Sequence, residues 1–140
     1  YAQTTFNLYN SVGMCDFVGV PINALRLEML RDYINGATGW DMSLFEMMKV
    51  GERANTMYRL FNLREGFTAA DDTLPDRLFE GLNNGHLQGR SIDREEFRRA
   101  LQLYYGMSGW DGTGVPTAAN LAELGLTWAA RPTAQTEAVA

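Results

Sequence analysis

The stretch "DMSLFEMMKVGERANTMYRLF", residues 41–61, decides the fold class of this chain. Apolar or small residues recur along it at three- and four-residue steps: Leu44, Met47, Met48, Gly51, Ala54, Tyr58 and Phe61. Such spacing predicts a helix of about 20 residues with one buried face. Asp41 suits the N-cap position, because its carboxylate can accept the first free backbone N–H groups. On the buried face, Gly51 would let another helix approach closely.

The residues before this helix continue the α-helical pattern. The apolar segment "TTFNLYNSV", residues 4–12, predicts the end of a first helix. Pro21 suits the first turn of the next one, since its missing N–H is not needed there. Apolar residues then recur at helical spacing up to about Asn35, and Gly36 and Gly39 are expected to end this helix.

The residues after residue 61 add two more helices. Asp93 and Glu96 form a capping-box pattern at the start of one of them. Pro116 and Thr117 open a last short helix, and Gly125 is placed as its C-terminal cap.

These signals together predict an all-α domain, a compact bundle of about four to six helices with irregular connecting loops. Only "FVGV", residues 17–20, has any β-branched character. We assign residues 1–127 to one helical domain and expect 128–140 to form a flexible tail. Tyr1 stands where an initiator Met would be expected, which suggests a fragment of a longer protein or a processed chain.

Composition excludes several function classes. The 140 residues carry a net charge of −5, and the basic residues are dispersed among acids, so no nucleic-acid partner is expected. No apolar run approaches the roughly 18 residues that a membrane span needs. A single cysteine excludes an internal disulfide framework and fits a reducing, cytoplasmic compartment.

The only cysteine, Cys15, lies in the glycine-punctuated segment "NSVGMCDFVGVP", residues 10–21. One interpretation is a small buried hydrophobe, the usual state of a free Cys. The other is a metal ligand or a nucleophile, which a glycine-bounded loop favours.

Polar side chains on the long helix and in the loop after it leave further alternatives open. The helical series Arg53, Asn55, Arg59, Asn62 and Arg64 is interpreted as a solvated face in the isolated chain and as interdomain hydrogen-bonding groups in an intact protein.

The loop that follows carries Asp71, Asp72 and Arg77. Here we favour structural roles, with an Asp capping the turn and Arg77 paired with a carboxylate. Trp110 with Asp111 predicts a buried indole under a tight turn. The seven Met residues are interpreted as core.

Two long segments carry a family resemblance. They are "GERANTMYRLFNLREGFTAADDTLPDR", residues 51–77, and "LYYGMSGWDGTGVPTAANLAELGL", residues 103–126. Both resemble the C-terminal domain of the tungsten-containing aldehyde:ferredoxin oxidoreductase family, in order and in spacing, and the likeness covers about residues 8–126. A series of this length is far more specific than a single short motif.

The resemblance implies roles for residues 10–15. The family has an Asp-x-x-Gly-Leu-Cys segment here, whose Cys is the fourth thiolate on a [4Fe–4S] cluster. Cys15 matches that ligand, and Asn10, Gly13 and Met14 match residues that touch a pterin of the tungsten cofactor. Asn10 departs from the pattern, because an amide offers one acceptor and two donors where a carboxylate offers only acceptors.

The resemblance also implies the function of the intact enzyme: oxidation of an aldehyde to a carboxylic acid, or of a related substrate, with electrons passed through the cluster to ferredoxin or a similar acceptor. The cofactors would be the [4Fe–4S] cluster and a tungsten or molybdenum pterin. The family's other three cluster thiolates lie in an earlier domain, so this chain alone is expected to hold no cofactor, to contain no catalytic residue and to be inactive. The missing domains are its expected partners, and self-association into a homo-oligomer is also expected.

A second hypothesis is a free-standing helical interaction or scaffold domain without redox activity. Asn10 and the absence of other cysteines favour it.

Overall fold

A computed structural model describes residues 1–19 and 25–130 of the chain. Its α-helices are α1 (Ala2–Ser11), α2 (Leu27–Thr38), α3 (Leu44–Arg64), α4 (Arg94–Met107) and α5 (Ala118–Glu123). Short 3-10 turns span Asp16–Val18, Ala69–Asp71, Asp76–Leu78 and Thr127–Ala129. The described residues form no β-strand, only two isolated bridges. The predicted all-α class and the number of helices are therefore confirmed, and the β-branched segment after Cys15 begins as a 3-10 turn.

The central contact of the fold joins α1 to α3. Gly51 is buried, and a Cβ added there would lie 2.1 Å from the Thr4 carbonyl oxygen of α1. The close approach predicted for Gly51 is thus confirmed, because no larger residue leaves room for α1. Buried side chains from three helices close the core beside this contact: Leu8, Tyr9, Leu30 and Met47.

The start of α3 corrects one sequence prediction. Ser43, not Asp41, is the N-cap: its hydroxyl accepts the Glu46 N–H at 3.2 Å. The Glu46 carboxylate returns the interaction by accepting the Ser43 N–H at 2.7 Å, and these hydrogen bonds lower the pKa of Glu46. Ser followed three residues later by Glu satisfies two free donors reciprocally, which Asp41 cannot do from its position.

The bounds of α2 also differ from the prediction. Leu27 begins the helix, because Arg26 has an extended backbone; Pro21 lies outside the described residues. Gly36 lies inside the helix rather than at its end. Gly39, at φ +74°, ends it, in the left-handed region that glycine adopts without a steric penalty.

Both helices after α3 begin at the predicted N-caps, but the capping box of α4 is only half formed, because no described hydrogen bond joins the Asp93 N–H to the Glu96 side chain. The Asp93 carboxylate accepts the Glu96 N–H at 2.7 Å, and the Thr117 hydroxyl accepts the Asn120 N–H at 3.2 Å. Gly125, at φ +67°, follows α5 and lets the chain fold back. A second buried cluster results, made of Leu121, Leu124 and Leu126.

The tight turn after α4 confirms the predicted indole anchor. Trp110 is 8% exposed. The Asp111 carboxylate beside it accepts hydrogen bonds from the Thr113 N–H, the Thr113 hydroxyl and the Val115 N–H at 2.7–3.1 Å, and these lower the pKa of Asp111.

No described helix is both long and apolar enough to cross a membrane. At the C-terminal end, the Trp128 Nε1–H donates to the Gly125 carbonyl at 3.1 Å. Most of the predicted tail, residues 131–140, lies outside the described residues.

Candidate functional site

The predicted site lies in the turn that follows α1. The Tyr9 carbonyl accepts the Met14 N–H at 2.9 Å, and the Asn10 carbonyl accepts the Gly13 N–H at 3.2 Å. Gly13 has φ +74°, and an added Cβ would meet nothing within 4 Å. Glycine is therefore required here by the backbone conformation that ends α1, while the space around it stays open.

Cys15 is exposed and forms no disulfide. Its backbone is extended, and its carbonyl accepts the Val18 N–H at 3.0 Å, which starts the 3-10 turn. The thiol is therefore not buried among the described residues and is accessible for ligation. Among the described residues, no group of three or more His, Cys, Asp or Glu side chains could hold a metal ion. A cubane cluster needs four ligands, so Cys15 could be only one of them.

The other three predicted residues of the site differ in their surroundings. Asn10 and Gly13 are exposed, and the Asn10 amide makes no hydrogen bond with the described residues. Met14 is half-buried, and its side chain packs against the core cluster of Leu8 and Tyr9. The Met14 side chain therefore holds the turn against the core.

One polar atom next to Cys15 has no hydrogen-bond partner among the described residues. Asp16 Oδ1 is buried and accepts no hydrogen bond in the described part of the chain. A buried acceptor without a donor is costly. An exposed thiol, an open glycine and an exposed Asn10 amide in one turn fit a group that this edge contacts from outside the chain.

A second polar cluster, centred on Arg59, was not predicted. Arg59 is 6% exposed. Its guanidinium donates to Asp72 Oδ1 at 2.9 Å and, through Nε, to the Gly114 carbonyl at 2.7 Å. The Tyr105 hydroxyl donates to Asp72 Oδ2, and burial, reinforced by that hydrogen bond, raises the pKa of Tyr105 to about 12. These groups tie α3, α4 and two loops together.

The structure corrects the predictions for Arg59 and Arg77 and confirms that an Asp caps the turn. Arg59 does not lie on a solvated face, and its neighbour Arg53 donates to the Leu124 carbonyl at 2.7 Å. Asp72 pairs with Arg59, while Asp71 caps the turn at Thr68. Arg77 makes no ion pair within the described ranges.

The sequence did contain a signal for the buried Arg59. It continues at four-residue steps the row of Met47, Gly51 and Asn55, which faces inward. Tyr58 and Phe61 do not belong to this inward-facing row. They are 58% and 53% exposed, although the sequence predicted them to be buried. An open cleft of about 350 Å³ between α1, α3 and α4 borders the cluster and is lined by Asn7, Asn55, Tyr58, Tyr104 and Trp110.

Comparison with known proteins gives a consistent assignment. The family model described as aldehyde ferredoxin oxidoreductase, domains 2 and 3, matches residues 1–126. The tungsten-containing aldehyde ferredoxin oxidoreductases of Pyrococcus furiosus and Pyrococcus abyssi are 37% identical over 121 residues and 36% over 125. Each match covers 85% of this chain and 19% of the relative, so the chain spans about a fifth of the relatives' length.

Two more distant likenesses agree with it. The aliphatic sulfonate oxidoreductase, WOR-like subunit, of Pyrococcus furiosus is 28% identical over 124 residues, which is 84% of this chain and 19% of that protein. The active site complex BamBC of benzoyl coenzyme A reductase, solved with 1,5-dienoyl-CoA, superposes with a TM-score of 0.73 over 92% of this chain and 18% of that one. At 22% identity this second likeness shows the fold alone. On the family match to residues 1–126, the chain belongs to the aldehyde ferredoxin oxidoreductase family.

Proposed function

We propose that this chain is the cofactor-facing helical domain of a tungsten-containing oxidoreductase that oxidises aldehydes to carboxylic acids. Cys15 supplies the fourth thiolate of a [4Fe–4S] cluster, and Asn10, Gly13 and Met14 border the pterin. The single observation that supports this most is the exposed Cys15 thiol in a turn fixed to α1 by backbone hydrogen bonds.

The chemistry of the cofactors follows from what they are. A bound tungsten or molybdenum pterin would supply RCHO + H2O → RCOOH + 2 H⁺ + 2 e⁻, and the cluster would pass the electrons singly to ferredoxin or a similar acceptor. The remaining cluster ligands belong to other parts of the enzyme, which makes those domains the partners of this chain and leaves the chain inactive alone.

The residues of the turn then have distinct tasks. The Cys15 thiol loses its proton on ligation, since the thiolate is the ligand. Gly13 leaves open backbone toward the pterin. Asn10 offers the pterin two N–H donors and one acceptor, so it would bind a carbonyl edge as well as a guanidine-like one.

The test uses the full-length protein with Cys15→Ala. We expect the [4Fe–4S] electron paramagnetic resonance signal to be lost, since one iron then lacks its protein ligand, with iron per protein reduced and tungsten measured in parallel. Ser91→Ala, at an exposed residue before α4, is the control for handling losses. A full cluster signal in Cys15→Ala would show that Cys15 is no ligand. A wild-type protein without iron or tungsten would favour the scaffold hypothesis.

A further inference from the structure

Two glycines flank Cys15, and they are required for different reasons. Gly13 has a positive φ and open space around it. Gly19 has φ −92°, which any residue can adopt, but an added Cβ would lie 2.1 Å from Tyr9 Cε2 and 2.5 Å from Tyr9 Cζ. Gly19 is therefore needed for space, because its Cα rests directly on the Tyr9 ring.

The Tyr9 ring cannot easily move aside for a larger residue at position 19. Its ring is 3% exposed, shares a buried cluster with Leu8, Leu30 and Met47, and meets Phe6 edge-on at 6.3 Å between ring centroids. A close-packed ring of this kind moves only at the expense of its neighbours. An added methyl group at Gly19 would therefore displace the 3-10 turn rather than the ring.

The same tyrosine also holds the other end of the segment. The Tyr9 carbonyl accepts the N–H groups of Val12 at 3.2 Å and of Met14 at 2.9 Å. Between these two attachments, the Cys15 carbonyl accepts the Val18 N–H, and the Asp16 carbonyl accepts the Gly19 N–H. Cys15 thus lies inside a short segment fixed at both ends to one residue of α1.

We propose that Tyr9 is a positioning residue for the Cys15 thiolate, and that residue 19 must be a glycine because it packs directly against the Tyr9 ring. The inference rests on the proposed role of Cys15 as a cluster ligand. Ligand positions must be held within about 0.5 Å, whereas relieving a 2.1 Å contact moves the turn by more than about 1 Å. Cluster retention and reduction potential depend on such positions and on solvent access.

The main test compares Gly19→Ala with Gly112→Ala in the full-length holoenzyme. Gly112 is the matched control, since its added Cβ would meet only Gln102 Oε1 at an ordinary 3.5 Å. We expect chelator-driven iron release from Gly19→Ala to be about tenfold faster than from wild type, as for other changes behind a metal ligand. Its cluster midpoint potential should also shift, while Gly112→Ala matches wild type in both. A Gly19→Ala protein that behaves like Gly112→Ala would overturn the proposal.

A rescue experiment separates positioning from general damage. Tyr9→Leu removes the ring atoms that the new methyl group would strike. The double variant Tyr9→Leu/Gly19→Ala should release iron no faster than Tyr9→Leu alone, and more slowly than Gly19→Ala. If Gly19→Ala does not fold, the comparison of the double variant with Tyr9→Leu decides the test. A double variant more defective than Tyr9→Leu would overturn the proposal.

The Cys15→Ala variant distinguishes a failure of the proposed function from a failure of the positioning role of Tyr9. If Cys15→Ala keeps its cluster, the proposed function is wrong, and the positioning role is excluded with it. If Cys15→Ala loses the cluster while Gly19→Ala retains it at the wild-type rate and potential, only the positioning role is wrong.

Discussion

At the scale of single residues, Arg59 is the one charged side chain that is buried among the described residues. This guanidinium, 6% exposed, is stabilised by hydrogen bonds from Nε to the Gly114 carbonyl and from Nη1 to Asp72, and by the ion pair of Nη2 with Asp72. Its charge also lies over two aromatic rings, with Cζ 5.7 Å from the centroid of Tyr105 and 5.4 Å from that of Trp110. Removing one group of this cluster should therefore leave the remaining buried groups without their partners and lower the free energy of unfolding.

Asp72→Asn tests this cluster. Removing the negative charge leaves the buried guanidinium without its counter-ion, and we expect the free energy of unfolding to fall by about 3 kcal/mol. Urea unfolding of the 140-residue chain measures it. Asp76→Asn is the matched control, since Asp76 pairs with Arg94 at side-chain exposures of 82% and 52%. An exposed pair of this kind contributes less than about 1 kcal/mol. Equal losses in the two variants would contradict a special role for Asp72.

Tyr105 gives this cluster a pH dependence. Burial raises its pKa from 10.0 to about 12, so the folded chain keeps the phenol proton that the unfolded chain loses. The contribution is fully present below pH 10 and is lost as the pH rises toward 12. At about 1.4 kcal/mol per pKa unit, stability should fall by up to about 3 kcal/mol over this range.

The measurement is chemical unfolding at several pH values from 9 to about 12. Tyr105→Phe should show less alkaline loss than wild type, because it carries no proton to lose. Tyr33→Phe, at a ring 63% exposed in α2, should keep the wild-type profile. A wild-type slope in Tyr105→Phe would place the alkaline sensitivity elsewhere.

At the scale of elements, the close packing of α1 on α3 depends on the absence of a side chain at Gly51. In Gly51→Ala, the higher helix propensity of Ala alone would stabilise α3 by about 1 kcal/mol. The added Cβ, however, would collide with the Thr4 carbonyl. Backbone cannot swing aside as a side chain can, so we expect a net destabilisation of about 2 kcal/mol. Thermal and urea unfolding of the isolated chain would measure it.

Gly36→Ala in α2 is the control for the propensity gain. An added Cβ there meets nothing within 4 Å, so the free energy of unfolding should rise by about 0.5 kcal/mol. If both substitutions stabilise the chain, the tight α1–α3 contact is not present in solution.

The helices themselves were predictable from local signals, and the errors have a physical cause. Spacing located α3, and cap residues located α4 and α5, because both signals act within a few residues. The spacing of α3 places Arg59 in line with the inward-facing row, but it does not reveal the partners that make its burial possible: Asp72, 13 residues on, and Gly114, 55 residues on. The Tyr9–Gly19 contact likewise depends on a loop conformation that no periodic pattern encodes.

At the scale of the whole molecule, a large apolar surface stays uncovered. Many large side chains are more than 50% exposed, among them Phe17, Trp40, Phe45, Tyr58, Phe61, Phe67, Leu103 and Met107. Where such side chains lie side by side, the apolar patch that they form marks an interaction site. Since the chain spans about a fifth of its relatives, we propose that the rest of the enzyme covers part of this surface.

The methionines offer a direct measurement of that covering. The sequence predicted all seven to be core, but Met107 is 68% exposed and Met57 is 43% exposed, whereas Met47 is 1% exposed. In the isolated chain, peroxide should therefore oxidise Met107 and Met57 well before Met47, because thioether oxidation follows access. Mass spectrometry of digested samples resolves the three sites.

In the full-length protein, Met107 and Met57 should react about tenfold more slowly if neighbouring domains exclude the oxidant from them. Met47 is the internal control, since its burial within the α1–α3 core is the same in both proteins. Slower reaction confined to Met57 would place the covering on the middle of α3, and confined to Met107 on the end of α4. Unchanged rates at both residues would show that this apolar surface faces solvent in the intact enzyme, and the docking proposal would then be wrong.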